Sequence, residues 1–307
     1  MSKNITISDL PAVRGKYTEN AELGPLTWFR VGGPADVLFS PADEDDLAHF
    51  LQNTPEEIPV LVMGVGSNLL VRDGGVRGVV IRFGSPFRQI KADGTRVTAG
   101  AGCIDAQVAK AAANAGVGGL EFFRGVPGTI GGANRMNAGA YGGEVKDVLV
   151  EAVAYDRAGA RHVLSNADLG FSYRHAAAPE DFIFTSATFE GRPDEPIDIF
   201  NRMEEISEKR EATQPIRERT GGSTFANPPP EASGGKKAWQ LIDEIGGRGR
   251  VIGDAQVSEQ HCNFIINRGR ASAADLEALI ESLRKDVLTK TGVELHWEIR
   301  RIGEPAQ

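Results

Sequence analysis

The stretch Glu121–Glu144, EFFRGVPGTIGGANRMNAGAYGGE, constrains this chain more than any other. It carries Gly125, Gly128, Gly131, Gly132, Gly139, Gly142 and Gly143, with Pro127 and two asparagines between them. Fixing glycine costs backbone entropy, so a cluster this dense points to loops that need positive φ or a close approach to a ligand. The segment is too apolar and too low in net charge for a disordered linker. It reads as an ordered, buried loop system wrapped around a phosphate-bearing cofactor. A plain cluster of glycine turns is the alternative that composition leaves open.

A second glycine turn lies upstream, in PVLVMGVGSNLLV at 59–71. An apolar strand, Val60–Met63, runs directly into Gly64-Val65-Gly66-Ser67-Asn68. Such a turn exposes consecutive backbone N–H groups that can nest a pyrophosphate. It lacks the G-x-G-x-x-G pattern, and Asp73-Gly74-Gly75 leads into another strand, Gly78–Phe83, rather than a long helix. A tight hairpin turn explains this stretch equally well.

The 307 residues suggest about two domains. With 41% hydrophobic and 25% charged residues, the chain has enough apolar material for a sizeable core. A net charge of -8 argues against a nucleic-acid surface. Cys103 and Cys262 are the two cysteines, without paired spacing, which argues against a disulfide framework or a zinc site and fits a reducing cytoplasm. The histidines at 49, 162, 175, 261 and 296 show no metal-ligand spacing. MSKNITISDLPAVRGKY lacks the apolar run of a signal peptide, and no apolar stretch approaches the ~20 residues of a membrane span. A soluble, cytoplasmic protein is expected.

Along the chain, residues 1–25 read as an irregular arm with a short helix around Asp9–Val13. A strand is expected at Asp36–Phe39. Ser40 is the expected N-cap of a helix running on through Asp46–Gln52. Residues 87–100 read as two strands about a turn at Asp93-Gly94, and Ile104–Ala115 as an amphipathic helix closed by Gly116. Strands follow at Val148–Tyr155, Arg161–Leu164 and Asp181–Phe189, then a helix over Pro196–Glu211. Gly, Pro and Ser dominate RTGGSTFANPPPEASGGKK, although Phe225 and Asn227 inside it argue for an ordered loop. Helices are expected over Ala238–Glu244 and after the capping box Ser272–Asp275, with Leu276, Leu279, Ile280, Leu283 and Val287 on one stripe. Short strands are expected at Val251–Ile252 and Cys262–Ile266. A final strand, Glu294–Ile302, would turn Leu295, Trp297 and Ile299 to one face and Glu298 to the polar one.

Three small polar sites remain: Ser172-Tyr173-Arg174, Gly221-Gly222-Ser223, and Glu298. Each alone is explained by a capping tyrosine beside a surface arginine, a turn serine, or an exposed glutamate. No Ser/His/Asp triad is legible, and no lysine follows the glycines as in a P-loop.

Taken together, the segments resemble the UDP-N-acetylenolpyruvoylglucosamine reductases. The matching motifs run in order from about Thr27 to Gly303. They are T-x-x-R-x-G-G at 27–33, G-x-G-S-N-L-L at 64–70, G-V-P-G-T-I-G-G-A at 125–133 and M-N-A-G-A-Y-G-G-E at 136–144. S-Y-R at 172–174, G-G-S-x-F-x-N-P at 221–228, H-C-N-F-I-I-N at 261–267 and E-I-R-R-I-G at 298–303 complete the set.

The resemblance implies an α+β fold: a two-part FAD-binding domain of the vanillyl-alcohol-oxidase type plus a smaller α+β substrate-binding domain. The expected boundaries are 1–88 and 89–210 for the two flavin subdomains, with the strand 294–303 returning to the second, and 211–293 for the substrate domain. FAD would be held non-covalently, since neither glycine loop carries a tethering histidine. Val62, Gly64, Val65, Gly66, Ser67, Asn68 and Leu69 would hold its pyrophosphate. Pro127, Gly128, Thr129, Gly132, Ala133, Asn137, Gly139 and Ala140 would line the rest.

The family's activity would be NADPH-dependent reduction of UDP-N-acetylglucosamine enolpyruvate to UDP-N-acetylmuramate, a step in peptidoglycan precursor synthesis. Arg174 matches the residue that binds the developing enolate, Ser223 the proton donor, and Glu298 the third catalytic group. Tyr173, Asn227 and His261 are substrate-contact candidates. A monomer is expected. Two alternatives stay open: an oxidase on the same flavin fold, and a non-catalytic nucleotide-binding module. The chain departs from many relatives at Ala226, where they carry lysine. The short His175–Glu180 segment resembles the subclass without a tyrosine-bearing lid. Pro228–Ser233 is read as a flap.

Overall fold

The computed structural model describes residues 4–306. The chain divides into two compact units. The first takes residues up to Glu19, Asp36–Gly64 and Gly78–Lys209; the second takes Asn20–Ala35, Val65–Arg77 and the residues from Arg210 onward.

In the first unit a five-stranded sheet has the order Arg161–Ser165, Leu149–Tyr155, Ile183–Glu190, Arg96–Gly100, Ile90–Asp93, antiparallel throughout. The helix Asp105–Asn114 brings Val108, Ala109, Ala112 and Ala113 into one core with Phe123, Ala187 and Phe189. Alanine leaves the helix little side chain to bury, so its backbone lies close to its neighbours. A second sheet has the order Lys16–Glu22, Pro34–Ser40, Val76–Ile81, Val60–Val62. Val60, Leu61 and Val62 run parallel to Val79, Val80 and Ile81. The helix Glu44–Asn53 packs Leu47, Phe50 and Leu51 with Val37, Phe39, Val79 and Ile81. Those helical positions recur at three and four residues, the period of a single buried face.

The second unit is built on the helix Ala273–Thr291, whose Leu276, Leu279, Ile280, Leu283 and Val287 are fully buried. The expected capping box is present, with the Ser272 hydroxyl accepting from the Asp275 N–H, and Gly292 closes the helix at φ +73°. Asp73 adds a second cap, accepting from the Ala273 and Ala274 N–H groups at 2.9 Å each. This helix shares a core with the helix Ala238–Glu244, the three-stranded sheet Val251–Ile252, Ala255–Val257, Ile265–Asn267, and Leu295 and Ile299. Arg300–Ile302 pairs parallel with Leu69–Val71.

The α+β architecture matches expectation, and four local readings are corrected. The arm expected to be irregular contains the strand Lys16–Glu22, preceded by a 3₁₀ turn at Ile7–Asp9. It is an edge strand in which Ala21 alone is buried, so no hydrophobic alternation announces it. Residues 1–3 of that arm lie outside the described residues. The first α-helix is capped by Asp43, not Ser40, because Ser40 still belongs to the preceding strand; the Asp43 carboxylate accepts from the Asp46 N–H at 2.9 Å. The ladder of the terminal strand is confined to Arg300–Ile302, although Leu295 and Ile299 are buried as the alternation requires. The strand expected over Cys262–Ile266 begins at Ile265, because His261–Phe264 is a turn closed by the Phe264 N–H to the His261 carbonyl.

Among the described residues no helix is long and apolar enough to cross a membrane. Among them, too, no group of three or more His, Cys, Asp or Glu side chains is arranged to hold a metal ion.

Candidate active site

Within the first unit the end of the strand Val60–Val62 meets the long glycine segment. A Cβ placed on Gly64 would lie 2.5 Å from the Thr129 hydroxyl oxygen, so a larger residue there would force Thr129 to shift. Thr129 is buried and heads the helix Ile130–Arg135, while Gly132 on its first turn is exposed. The segment is anchored from beneath: the Ile130 N–H donates to the Cys103 carbonyl and the Gly131 N–H to the Ala101 carbonyl, each at 3.0 Å. Gly139-Ala140 and Gly143-Glu144 close a small antiparallel hairpin around Tyr141. Val62, Pro127, Gly128 and Ala140 are at least partly accessible, whereas Ala133 is buried.

Two buried polar side chains, Asp105 beside this segment and Asn134 within it, were not singled out as site residues from the sequence. Asp105 opens its helix fully buried, and neither carboxylate oxygen has a hydrogen-bond partner. Burial pushes its pKa well above the ordinary carboxylate range, outweighing the opposing pull of the Gly128 backbone amide. Asn134 is likewise fully buried with both side-chain atoms unpartnered. No local pattern marks either residue.

Arg174 also belongs to the first unit. Ser172 and His175 form an isolated antiparallel bridge, exchanging hydrogen bonds of 2.9 and 3.2 Å, with Tyr173 and Arg174 at the tip. Arg174 sits at φ +54°, a left-handed conformation, and its guanidinium lies 5.3 Å from the Tyr173 ring centre. Tyr173 is 63% exposed, the geometry of a side chain offered to solvent or to a ligand.

Within the second unit the rest of the upstream glycine turn comes together with Ser223 and Glu298. Gly66 has φ +64°, and a Cβ there would sit 2.9 Å from the Thr27 Cα. The Trp28 N–H donates to the Gly66 carbonyl at 3.3 Å, tying the first motif of the chain to the second. Gly222 lies against Ser67, its missing Cβ falling 3.8 Å from the Ser67 carbonyl oxygen. The Glu298 N–H donates to the Thr224 carbonyl at 2.9 Å, and the Asn68 amide donates to the Glu298 carbonyl at 3.1 Å. Leu69 then starts the strand that pairs with Arg300–Ile302. The turn bearing Ser67-Asn68, the loop bearing Ser223 and the segment bearing Glu298, just before the terminal strand, are thus one hydrogen-bonded assembly.

Among the described residues the N–H groups of Gly64, Val65, Gly66 and Ser67 donate to no protein acceptor. A row of donors on glycine-shaped backbone suits an anionic pyrophosphate, so the residues fit a dinucleotide cofactor.

Asn263, absent from the expected site residues, clamps the Ser223 loop. Its side chain accepts from the Phe225 N–H at 3.0 Å and donates to the Phe225 carbonyl at 2.8 Å, while its own carbonyl takes the Thr224 N–H at 2.8 Å. Asn227 is exposed, and its side-chain oxygen caps the helix Ala238–Glu244 by accepting from the Ala238 N–H at 3.2 Å. His261 is half-buried between Trp239 and Phe264, ring centres 6.1 and 4.9 Å away, and burial lowers its pKa. Cys103 and Cys262 are buried thiols raised to about 11, too high to act as nucleophiles.

Residues 35–165 match the FAD binding domain, and residues 214–302 match the C-terminal domain of UDP-N-acetylenolpyruvoylglucosamine reductase. The chain is 62% identical to the UDP-N-acetylenolpyruvoylglucosamine reductase of Azorhizobium caulinodans over 97% of its length and 95% of that protein. It belongs to the UDP-N-acetylenolpyruvoylglucosamine reductase family. The relative in Parvibaculum lavamentivorans is 61% identical over 97% of this chain and 94% of its own. Among solved structures, the reductase of Thermus caldophilus superposes with a TM-score of 0.81 at 34% identity, covering 95% of this chain and all of that one. As a member of the reductase family the chain is an oxidoreductase, and its first matched region is an FAD-binding one.

Proposed function

We propose that this protein reduces the enolpyruvyl ether of UDP-N-acetylglucosamine to UDP-N-acetylmuramate with NADPH as reductant; the name its relatives carry, UDP-N-acetylenolpyruvoylglucosamine reductase, supports the reduction of that ether. The observation that carries the reading is the hydrogen bond from the Glu298 N–H to the Thr224 carbonyl, which ties the residue after Ser223 to the segment bearing Glu298. FAD, held by the glycine turn, would supply hydride chemistry toward the distal vinyl carbon of the substrate, with NADPH as the source of the electrons.

The protein's own residues then handle charge and proton. Negative charge develops on the carbon beside the carboxylate and spreads into it as an enolate. Arg174, a fixed cation on a tight turn, binds that charge, and placing it there in advance lowers the barrier. Ser223 gives its hydroxyl proton to the same carbon. Serine is a poor acid in water, so the hydroxyl must be held rigidly. The Asn263 clamp on Thr224 and Phe225 supports that role. Glu298 orients the substrate carboxylate from the segment that leads into the terminal strand. Gly64–Asn68 would hold the cofactor's pyrophosphate through backbone donors, and Pro127–Ala133 with Gly139 and Ala140 would supply further cofactor contacts.

Purified protein is expected to be yellow, to bleach with NADPH, and to regain its colour when the enolpyruvyl nucleotide is added without oxygen. Ser223→Ala should still bleach but recover colour at least about a hundredfold more slowly. Recovery at the wild-type rate would remove Ser223 as proton donor. Failure of the wild type to respond to the nucleotide would remove the reaction itself.

A further inference from the structure

We propose that Asn137 is a positioning residue for Arg174, coupling the glycine segment to the turn that carries the arginine. Asn137 is completely buried and sits at φ +43°. Its side-chain amide donates to the Ser172 carbonyl at 3.0 Å and to the Glu144 carboxylate at 2.5 Å, and its oxygen accepts from the Lys146 N–H at 2.9 Å. An asparagine side chain offers two N–H donors and one carbonyl, and all of these groups are engaged. The side chain is therefore committed to protein partners on two separate stretches of chain.

The Ser172 carbonyl is the base of the arginine turn. It also accepts from the His175 N–H at 3.2 Å, so it is held from two sides. Two residues later Arg174 occupies the left-handed region. That conformation costs a side-chain-bearing residue about 1–2 kcal/mol and persists where surrounding contacts fix it. Asn137 supplies such a contact from outside the turn. The far end of the brace is fixed in turn: Glu144 pairs with the Lys146 ammonium at 2.9 Å, and its N–H donates to Asp147 at 3.0 Å. A displacement of the glycine segment is thus transmitted to the arginine's base through one buried amide.

This inference rests on the reading of Arg174 as the enolate-binding group, and the experiment separates the two. Asn137→Gly keeps the left-handed backbone and deletes the amide. Asn137→Asp keeps the shape but replaces the donor with an acceptor facing the Glu144 carboxylate and the Ser172 carbonyl. The ionisable groups on the elements around it are Glu144, Lys146 and Asp147 on one side and Arg174 and His175 on the turn. Burial and the Glu144 charge would raise the new carboxyl's pKa, so lowering the pH restores a donor.

Both variants, with Arg174→Ala alongside, are purified with their flavin content and melting temperature recorded. Flavin reduction by NADPH and reoxidation by the enolpyruvyl nucleotide are then timed separately by anaerobic stopped flow. The expected result for Asn137→Gly is a reoxidation rate at least about tenfold lower, with reduction slowed less than about threefold. Reoxidation by Asn137→Asp should recover severalfold between pH 8 and pH 5.5, relative to wild type. Equal slowing of both steps, or a flat relative pH profile for Asn137→Asp, overturns the positioning role while slow reoxidation by Arg174→Ala leaves the reaction standing. Fast reoxidation by Arg174→Ala overturns the arginine's assignment itself.

Discussion

The side-chain amide of Asn68 donates to the backbone carbonyl of Glu298 at 3.1 Å, closing a separation of 230 residues along the chain. The Arg300 N–H returns a hydrogen bond to the Asn68 carbonyl at 3.0 Å, so one residue of the glycine turn is bonded on both sides of the terminal strand's entry. Asn68→Ala should therefore impair two functions together. Flavin affinity, measured by titrating the apoprotein, and kcat should each fall by up to roughly tenfold, the effect of losing one partly buried hydrogen bond of about 1 kcal/mol. A variant that lost flavin affinity yet kept kcat when saturated would separate the turn from the strand.

Gly66→Ala tests the shape of the same turn. At φ +64° an added methyl group is strained, and it would fall 2.9 Å from the Thr27 Cα, a backbone atom unable to swing aside. A loss of about 1–2 kcal/mol is expected from the backbone alone, with extra cost for the contact. The melting temperature should drop by several degrees, and the flavin should be lost on gel filtration.

Asn263→Ala removes both side-chain bonds that hold Phe225, leaving a buried N–H and a buried carbonyl without these partners. Unmade buried hydrogen bonds are expensive, so about 2–4 kcal/mol of stability should go. The adjoining Ser223 loop should loosen with it, lowering kcat more than it raises KM for the nucleotide. Steady-state kinetics together with thermal melts would check both.

Arg174→Lys keeps the positive charge but loses the planar fork that can grip a carboxylate or enolate with two parallel bonds. Loss of kcat on the order of 10²-fold is expected, carried by the step that consumes the enolpyruvyl nucleotide. Rapid-mixing traces with prereduced enzyme would measure it. Near-wild-type rates would show that charge alone suffices.

Asp105 gives a pH signature. Its buried carboxyl holds its proton to higher pH in the folded protein than in the unfolded chain. The folded state then binds more protons in that window, so stability is fully present below the ordinary aspartate range and declines as pH rises through the folded value. Asp105→Asn cannot ionise and should flatten the decline, gaining on wild type as pH increases. Melting temperatures of both proteins from pH 5 to 8 would reveal parallel curves if the carboxyl were neutral to stability.

The parts of the molecule written in local patterns were legible beforehand. The stripe from Leu276 to Val287, its Ser272–Asp275 box and the glycine at 292 are all contained within one helix length of sequence. Leu295 and Ile299 likewise declared their buried face. The glycine turn at 64–68 and the segment at 121–144 were visible because close approach demands a missing side chain, as at Gly66 beside the Thr27 Cα. What stayed hidden depends on partners far away in sequence. Lys16–Glu22 forms a strand through its neighbour rather than its own residues, Asp73 caps a helix 200 residues on, and Asn263 clamps a loop 38 residues earlier. Asp105 and Asn134 carry no pattern because burial of a lone polar group is a property of the finished core.

The parallel pairing of Arg300–Ile302 with Leu69–Val71 has a consequence for biogenesis. The turn at Gly64–Asn68 emerges early from the ribosome, but the strand that completes its hydrogen bonding is translated more than two hundred residues later. A nascent chain halted before Glu298 would have the glycine turn without its lock, and that lock could form only once Ile302 had left the ribosome.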